Sequence, residues 1–236
     1  MNTQDEMMRN IHELHAAGKT IKLLNTYRGF PVSYDATILA VDQGYVAARV
    51  HEYQAVSMAL EGKTHLQSDL LPEVIRATVV AVDVVKRQAV LTEFEGVGNA
   101  VGKRADIRVH PNEPLDAEIY DGQRRIGGKI ADISTSGVGV FTFAAYIYGD
   151  LSFEKDREVF IDFRLPNADA IIRFHGVVTS VVDQKGTFLH RLGAKIFPGP
   201  DAKPLLESYI AARQDETLRE LKLIYESMCQ EKAVQV

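Results

Sequence analysis

The sequence predicts a mostly β protein with two strand-rich domains in tandem and a helical segment at each end of the chain. Two blocks of short runs alternate apolar with polar residues and are rich in β-branched side chains, which is typical of strands. A glycine-rich segment at 95–102 separates the two blocks. Residues 5–17 and 201–232 instead repeat their apolar positions at helical spacing.

The overall composition is that of an ordinary globular protein with room for two small domains. The chain has 236 residues, 46% hydrophobic and 25% charged, and a formal net charge of −5. This negative charge argues against a general nucleic-acid binder, which displays a basic face to phosphates. Cys229 is the only cysteine, so a disulfide framework and a thiolate metal cluster are both excluded. Any anion-binding site must therefore be local.

The sequence shows no targeting or membrane signal. Its first residues are polar rather than the apolar core of a signal peptide, and no run approaches about 18 uninterrupted apolar residues. We therefore expect a cytoplasmic protein.

The N-terminal block begins with a short helix and continues as strands. Gly18 follows the helical pattern and supplies a stop. His12 and His15 have a spacing that could join a metal site, but no third ligand cluster accompanies them, which favours solvated histidines. The strand-like runs that follow are Ile21–Thr26, Tyr34–Val41, Tyr45–Val50, Ile75–Val85 and Ala89–Phe94. These runs predict a small β-barrel or sandwich.

The C-terminal block has the same alternation and then changes to a helical period. Its strand-like runs are Asp116–Tyr120, Ile126–Ser134, Val138–Phe143, Val159–Leu165, Ile171–Val182 and Phe188–Phe197. In the helical part, Leu205, Leu206, Tyr209 and Ile210 suit a cap on one end of this domain. A second apolar stripe from Leu218 to Met228 suits either docking or pairing with a second copy, so a homodimer stays open.

Two short motifs carry the functional information. Arg104 and Arg108 form an R-x-x-x-R sequence, and their guanidinium groups offer rigid forks of donors for phosphate oxygens or guanine edges. Asp132, Ser134 and Gly137 form a D-x-S-x-x-G sequence that supplies an acceptor, a hydroxyl and a bare backbone. Together these groups suit a guanine nucleotide.

These motifs, in this order, resemble the PilZ domain, a bacterial receptor module for cyclic di-GMP. The later runs, with Arg191–Phe197 as the closing strand, are similar to the rest of such a domain. The resemblance implies a six-stranded β-barrel in which Arg104 and Arg108 contact phosphate and guanine. Asp132, Ser134 and Gly137 would complete the nucleotide face. Lys103 stands where relatives often have another arginine, which leaves the number of bound nucleotides open.

The tandem layout is similar to that of YcgR-like flagellar-brake proteins. The resulting fold class is two small antiparallel β-barrel domains in tandem, the second PilZ-like, with a short N-terminal helix and a C-terminal helical segment. We expect a β-rich domain at 1–95, a hinge and arginine-bearing switch segment at 96–110, and the PilZ-like barrel with its helix at 111–236.

The function implied is a sensor that binds cyclic di-GMP, changes its interdomain arrangement and regulates a protein partner in motility, exopolysaccharide synthesis or adhesion. The alternative is a PilZ-fold adaptor that works through protein contacts without nucleotide. An enzyme is disfavoured because neither a nucleophile elbow nor a phosphate-binding G-x-x-x-x-G-K sequence is present. We expect no metal and no cofactor besides the nucleotide ligand.

Overall fold

The computed structural model describes residues 4–98, 106–123, 125–143, 153–166, 168, 170–184 and 186–234. Contacts divide the chain into two compact units. The first comprises Met1–Tyr27, Pro31–Ala105 and Thr217–Val236, and the second comprises Arg28–Phe30 and Asp106–Glu216. Each unit contains one closed six-stranded antiparallel barrel.

The first barrel has the strand order β1-β2-β3-β6-β5-β4. Its elements, in chain order, are α1 Gln4–Ala16, β1 Thr20–Tyr27, β2 Phe30–Asp42, β3 Tyr45–Arg49, α2 Glu52–Glu61, β4 Lys63–Gln67, β5 Ile75–Asp83 and β6 Gln88–Gly96. Alternate strand residues such as Ile21, Leu23 and Leu91 fill its interior, and Ile11 and Leu14 of α1 pack into the same core. Helix α1 is therefore held by its apolar face.

Helix α2 has a defined cap at both ends. His51 accepts a hydrogen bond from the backbone N–H of Tyr53, and Gly62 ends the helix at φ 66°, a conformation that glycine adopts without a Cβ penalty. The helix buries Gln54, whose side-chain amide donates to buried Asn25. The buried side-chain oxygen of Asn25 therefore has a hydrogen-bond donor.

The second barrel has the strand order β10-β11-β12-β9-β8-β7, and pairing of β10 with β7 closes it. Its strands are β7 Asp116–Tyr120, β8 Arg125–Ile133, β9 Gly137–Phe143, β10 Glu158–Phe163, β11 Ile172–Asp183 and β12 Leu189–Phe197. The rings of Phe163 and Phe174 stack in its core with centroids 4.8 Å apart. Phe153 also belongs to this core at 2% exposure.

The chain ends in one long helix, α3, at Ala202–Val234. Leu206, Tyr209 and Ile210 join the core of the second barrel as predicted, whereas Leu205 is exposed. Residues from Thr217 onward group with the first unit. None of the helices in the described part of the chain has the length and apolarity needed to cross a bilayer.

The prediction of two antiparallel barrels in tandem with helices at both ends is confirmed. The sequence patterns did not reveal α2 or β4, so the first block was expected to hold five strands and has six.

Candidate functional site

The segment before β7 pairs with the end of β8, which extends beyond the residues of β8 that pair with β7. Val109 forms an antiparallel bridge with Ile133 through two backbone hydrogen bonds of 2.9 Å. Both side chains are buried in the barrel core. Because successive residues of an extended segment point to opposite faces, Arg108 is directed away from the core, toward the outer face of β8.

A β-bulge places Asp132 on that same outer face. The register of β8 with β9 shifts between Ile130 and Asp132, so Ala131 is an extra residue with no partner in β9. In a regular strand Ile130 and Asp132 would share the inner face. The bulge restores Ile133 to the core and turns Asp132 outward, opposite Gly139.

Two guanidinium groups hold the Asp132 carboxylate. Arg108 Nη1 donates to Oδ1 at 2.6 Å, and Arg191 Nη2 donates to Oδ2. The Asp132 side chain is 7% exposed, while those of Arg108 and Arg191 are 27% and 25% exposed. Burial alone raises the pKa of the Asp132 carboxyl, but the hydrogen bonds and charges of both arginines outweigh it and lower that pKa below its ordinary value.

Gly139 provides the space in which Asp132 and Arg191 meet. Strand β9 lies between β8 and β12, so the ion pair must cross over the outer face of β9. A Cβ at Gly139 would lie 2.7 Å from both Arg191 Nη2 and Asp132 Oδ2. The contact between the two side chains therefore depends on a bare backbone at this position.

The turn between β8 and β9 is fixed by its own hydrogen bonds. The backbone N–H of Ser134 donates to the Gly137 carbonyl at 2.8 Å, and the Ser134 hydroxyl donates to the same oxygen at 3.2 Å. Ser134 is buried, and the hydroxyl of Ser136 donates to the Asp106 carboxylate. The turn is thus tied both to itself and to the segment that carries Arg108.

Gly137 lies beside the side chains of Arg108 and Ser134. Its φ lies outside the left-handed region. A Cβ here would lie 3.4 Å from Arg108 Nη2 and 3.4 Å from the Ser134 hydroxyl. The absence of a side chain leaves the Arg108 guanidinium next to open backbone.

Four of the site residues predicted from the motifs, Arg108, Asp132, Ser134 and Gly137, lie together at one end of the β8–β9 pair. Arg104 and Lys103 lie outside the described residues. Outside this group, Arg125 pairs with Glu118 at 3.0 Å on the exposed surface.

Sequence reasoning missed Arg191 and Gly139. Arg191 stands far from both motifs in the chain, and only the pairing of β9 with β12 brings it to Asp132. The one available signal was the closing-strand likeness that begins at Arg191. Within the described ranges, no three His, Cys, Asp or Glu side chains are grouped so that they could hold a metal ion.

The site lies within a region that matches a known family. The sequence model of the PilZ domain matches residues 102–212, a range that contains both motifs as well as Gly139 and Arg191. No curated protein matches the sequence.

Several solved structures are similar to the chain. YcgR from Escherichia coli in complex with c-di-GMP is 13% identical, with 94% of this chain and 95% of that chain covered and a TM-score of 0.46. The Bacillus subtilis inhibitor of motility MotI/DgrA is 15% identical, with 84% and 97% covered and a TM-score of 0.44. The K. pneumonia MrkH–c-di-GMP complex is 14% identical, with 92% and 97% covered and a TM-score of 0.44. The family match identifies residues 102–212 of this chain as a PilZ domain.

Proposed function

We propose that this chain is a cyclic di-GMP-binding sensor that regulates a downstream protein partner. The observation that carries the proposal is the convergence, inside a PilZ domain, of Arg108 with Asp132, Ser134 and Gly137. A dinucleotide with two phosphates and two guanines presents the chemistry that these groups complement. The printed descriptions of the YcgR and MrkH structures, both in complex with c-di-GMP, are in keeping with it.

In the proposed complex, the partly exposed guanidinium of Arg108 donates to phosphate or guanine oxygens of the ligand. Asp132 keeps this guanidinium at the barrel surface through the 2.6 Å contact. The bare backbone at Gly137 lets a flat base approach closely, beside the Ser134 hydroxyl. Arg104 and Lys103 would add positive charge from the preceding segment.

The proposed switch is the segment at 96–110, which joins the predicted domain at 1–95 to the barrel and helix at 111–236. A dianion bound to Arg104 and Arg108 would change the interdomain arrangement. The ligand can shift that equilibrium only by as much as its affinity for the two arrangements differs. The partner would act in motility, exopolysaccharide synthesis or adhesion.

Calorimetric titration with cyclic di-GMP tests the proposal. We expect binding by the wild type, and a loss of roughly tenfold to a hundredfold or more in Arg108→Ala, because hydrogen bonds from a charged donor are removed. Arg104→Ala should weaken binding in the same way. The matched control is Arg125→Ala, which removes a surface arginine in an ion pair with Glu118 on the same barrel and should bind like the wild type.

Absence of binding by the folded wild type would contradict the proposal. It would favour instead a PilZ-fold adaptor that works through protein contacts alone. Equal loss of affinity in Arg108→Ala and Arg125→Ala would also count against the site, because it would point to a general charge effect.

A further inference from the structure

Arg191 lies in the candidate site although it belongs to neither motif. It is on β12, and its guanidinium contacts the Asp132 oxygen that Arg108 does not use. Both arginines are about one quarter exposed, whereas the carboxylate that joins them is buried. The two guanidinium groups therefore lie on opposite sides of one carboxylate, and each has part of its surface open to solvent.

The charges of this cluster show what Arg191 adds. Arg108 and Asp132 alone would form a neutral pair, in which the carboxylate offsets the charge that an anion needs. With Arg191 the three side chains carry a net charge of +1. Each guanidinium has five N–H donors, so contact with one carboxylate oxygen leaves donors for a further acceptor. A site for a dianion gains both charge and donors from this second arginine.

Gly139, on the outer face of the barrel, leaves space for the Asp132–Arg191 ion pair. Gly139 and Gly193 are directly opposite each other on β9 and β12, next to Asp132 on β8. The Asp132–Arg191 contact passes over Gly139, where even a methyl group would approach both side chains to 2.7 Å. The backbone under the ion pair carries no side chain at Gly139. The contact with Asp132 fixes the Arg191 guanidinium at the barrel surface.

We propose that Arg191 is a third ligand-contacting arginine of the site, and that Asp132 acts as the positioning residue that fixes Arg108 and Arg191 for an anionic dinucleotide. This inference rests on the proposed function and extends it to a residue on the closing strand. Asp132 then contributes to ligand binding by positioning the guanidinium groups of Arg108 and Arg191.

The experiment is a calorimetric titration of cyclic di-GMP into the full chain at two ionic strengths, with a thermal melt of each variant. The variants are Arg191→Gln, Arg191→Lys and Gly139→Ala. Arg173→Gln is the matched control for charge, because Arg173 forms a two-bond ion pair with Asp162 on strands that carry no motif residue.

The matched control for the glycine variant is Gly127→Ala on β8, where an added Cβ meets no atom within 4 Å. Gly139→Ala displaces the Asp132–Arg191 contact without removing either charge. It keeps the inference testable if Arg191→Gln does not fold.

We expect Arg191→Gln to bind roughly tenfold to a hundredfold more weakly than the wild type. Its affinity should also fall less steeply with salt, because one screened charge contact to the ligand is gone. Arg191→Lys should recover part of the affinity through its charge, and Gly139→Ala should be weakened. Both controls should bind like the wild type.

Wild-type affinity in Arg191→Gln or in Gly139→Ala would overturn the inference and leave the proposed function standing. Weaker binding by Arg191→Gln with the salt dependence of the wild type would also overturn it, because Arg191 would then only hold Asp132. A folded wild type that does not bind cyclic di-GMP would overturn both proposals.

Discussion

Replacement of Asp132 by asparagine tests the Arg108–Asp132–Arg191 cluster. Its effect on the free energy of unfolding can be measured without any ligand. The carboxylate is 7% exposed and contacts Arg108 and Arg191 at once. Removal of one partner from a fully buried ion pair costs about 3–5 kcal/mol. Here each arginine is about one quarter exposed, so water can solvate it in the variant, and the asparagine oxygen still accepts one hydrogen bond. We therefore expect a loss of about 1–3 kcal/mol at neutral pH.

The loss should depend on pH in a defined direction. The pKa of Asp132 in the folded protein lies below the ordinary value of 3.8. A group whose pKa is lowered by folding contributes its full stabilisation above the unfolded pKa, and this contribution is lost as pH falls through the folded pKa. The difference between wild type and Asp132→Asn should therefore stay constant between about pH 7 and 5 and shrink below about pH 4.

Urea unfolding of the two full chains at pH 7, 5 and 3.5 measures this difference. Because only the comparison between the two chains is used, protonation of the other carboxylates affects both alike. A variant as stable as the wild type at pH 7 would refute the reasoning. So would a difference that is as large at pH 3.5 as at pH 7.

Two further predictions concern the barrel that carries the site. Phe174→Ala removes one ring of the buried Phe163–Phe174 stack. It should lower the free energy of unfolding, measured by urea unfolding, by about 3–5 kcal/mol. A loss below about 1 kcal/mol would contradict the packing described. Gly128→Ala places a Cβ 2.6 Å from the Phe141 carbonyl oxygen and should cost about 1–3 kcal/mol in a thermal melt. Gly127→Ala, the adjacent and unobstructed position, should be nearly neutral, and equal losses at the two glycines would be evidence against the strand packing.

The parts of the fold that follow local patterns could be predicted from the sequence. Alternation in the second block marks all six strands of its barrel, and the long helix α3 has no glycine or proline after Pro204. Helix α2 escaped notice because its buried residues run consecutively from Gln54 to Met58 and include two polar ones. An amphipathic period is absent from such a helix, since it is buried on most sides.

The candidate site could be predicted only as far as its motifs reach. Asp132 follows Ile130 at strand spacing, so the sequence places both on one face, and only the bulge at Ala131 separates them. The partnership with Arg191 depends on strand pairing between distant parts of the chain, which no local pattern encodes. The local sequence does not distinguish Gly139 from other strand glycines, because its role depends on the side chains of Asp132 and Arg191 from neighbouring strands.

The most direct measurement is a crystal structure of the full chain with cyclic di-GMP. The account predicts ligand phosphate or guanine oxygens within hydrogen-bond distance of the guanidinium groups of Arg108 and Arg191, with a base against the Gly137 backbone and Asp132 still bonded to both arginines. A ligand bound elsewhere on the chain, with the Arg108–Asp132–Arg191 cluster untouched, would contradict it.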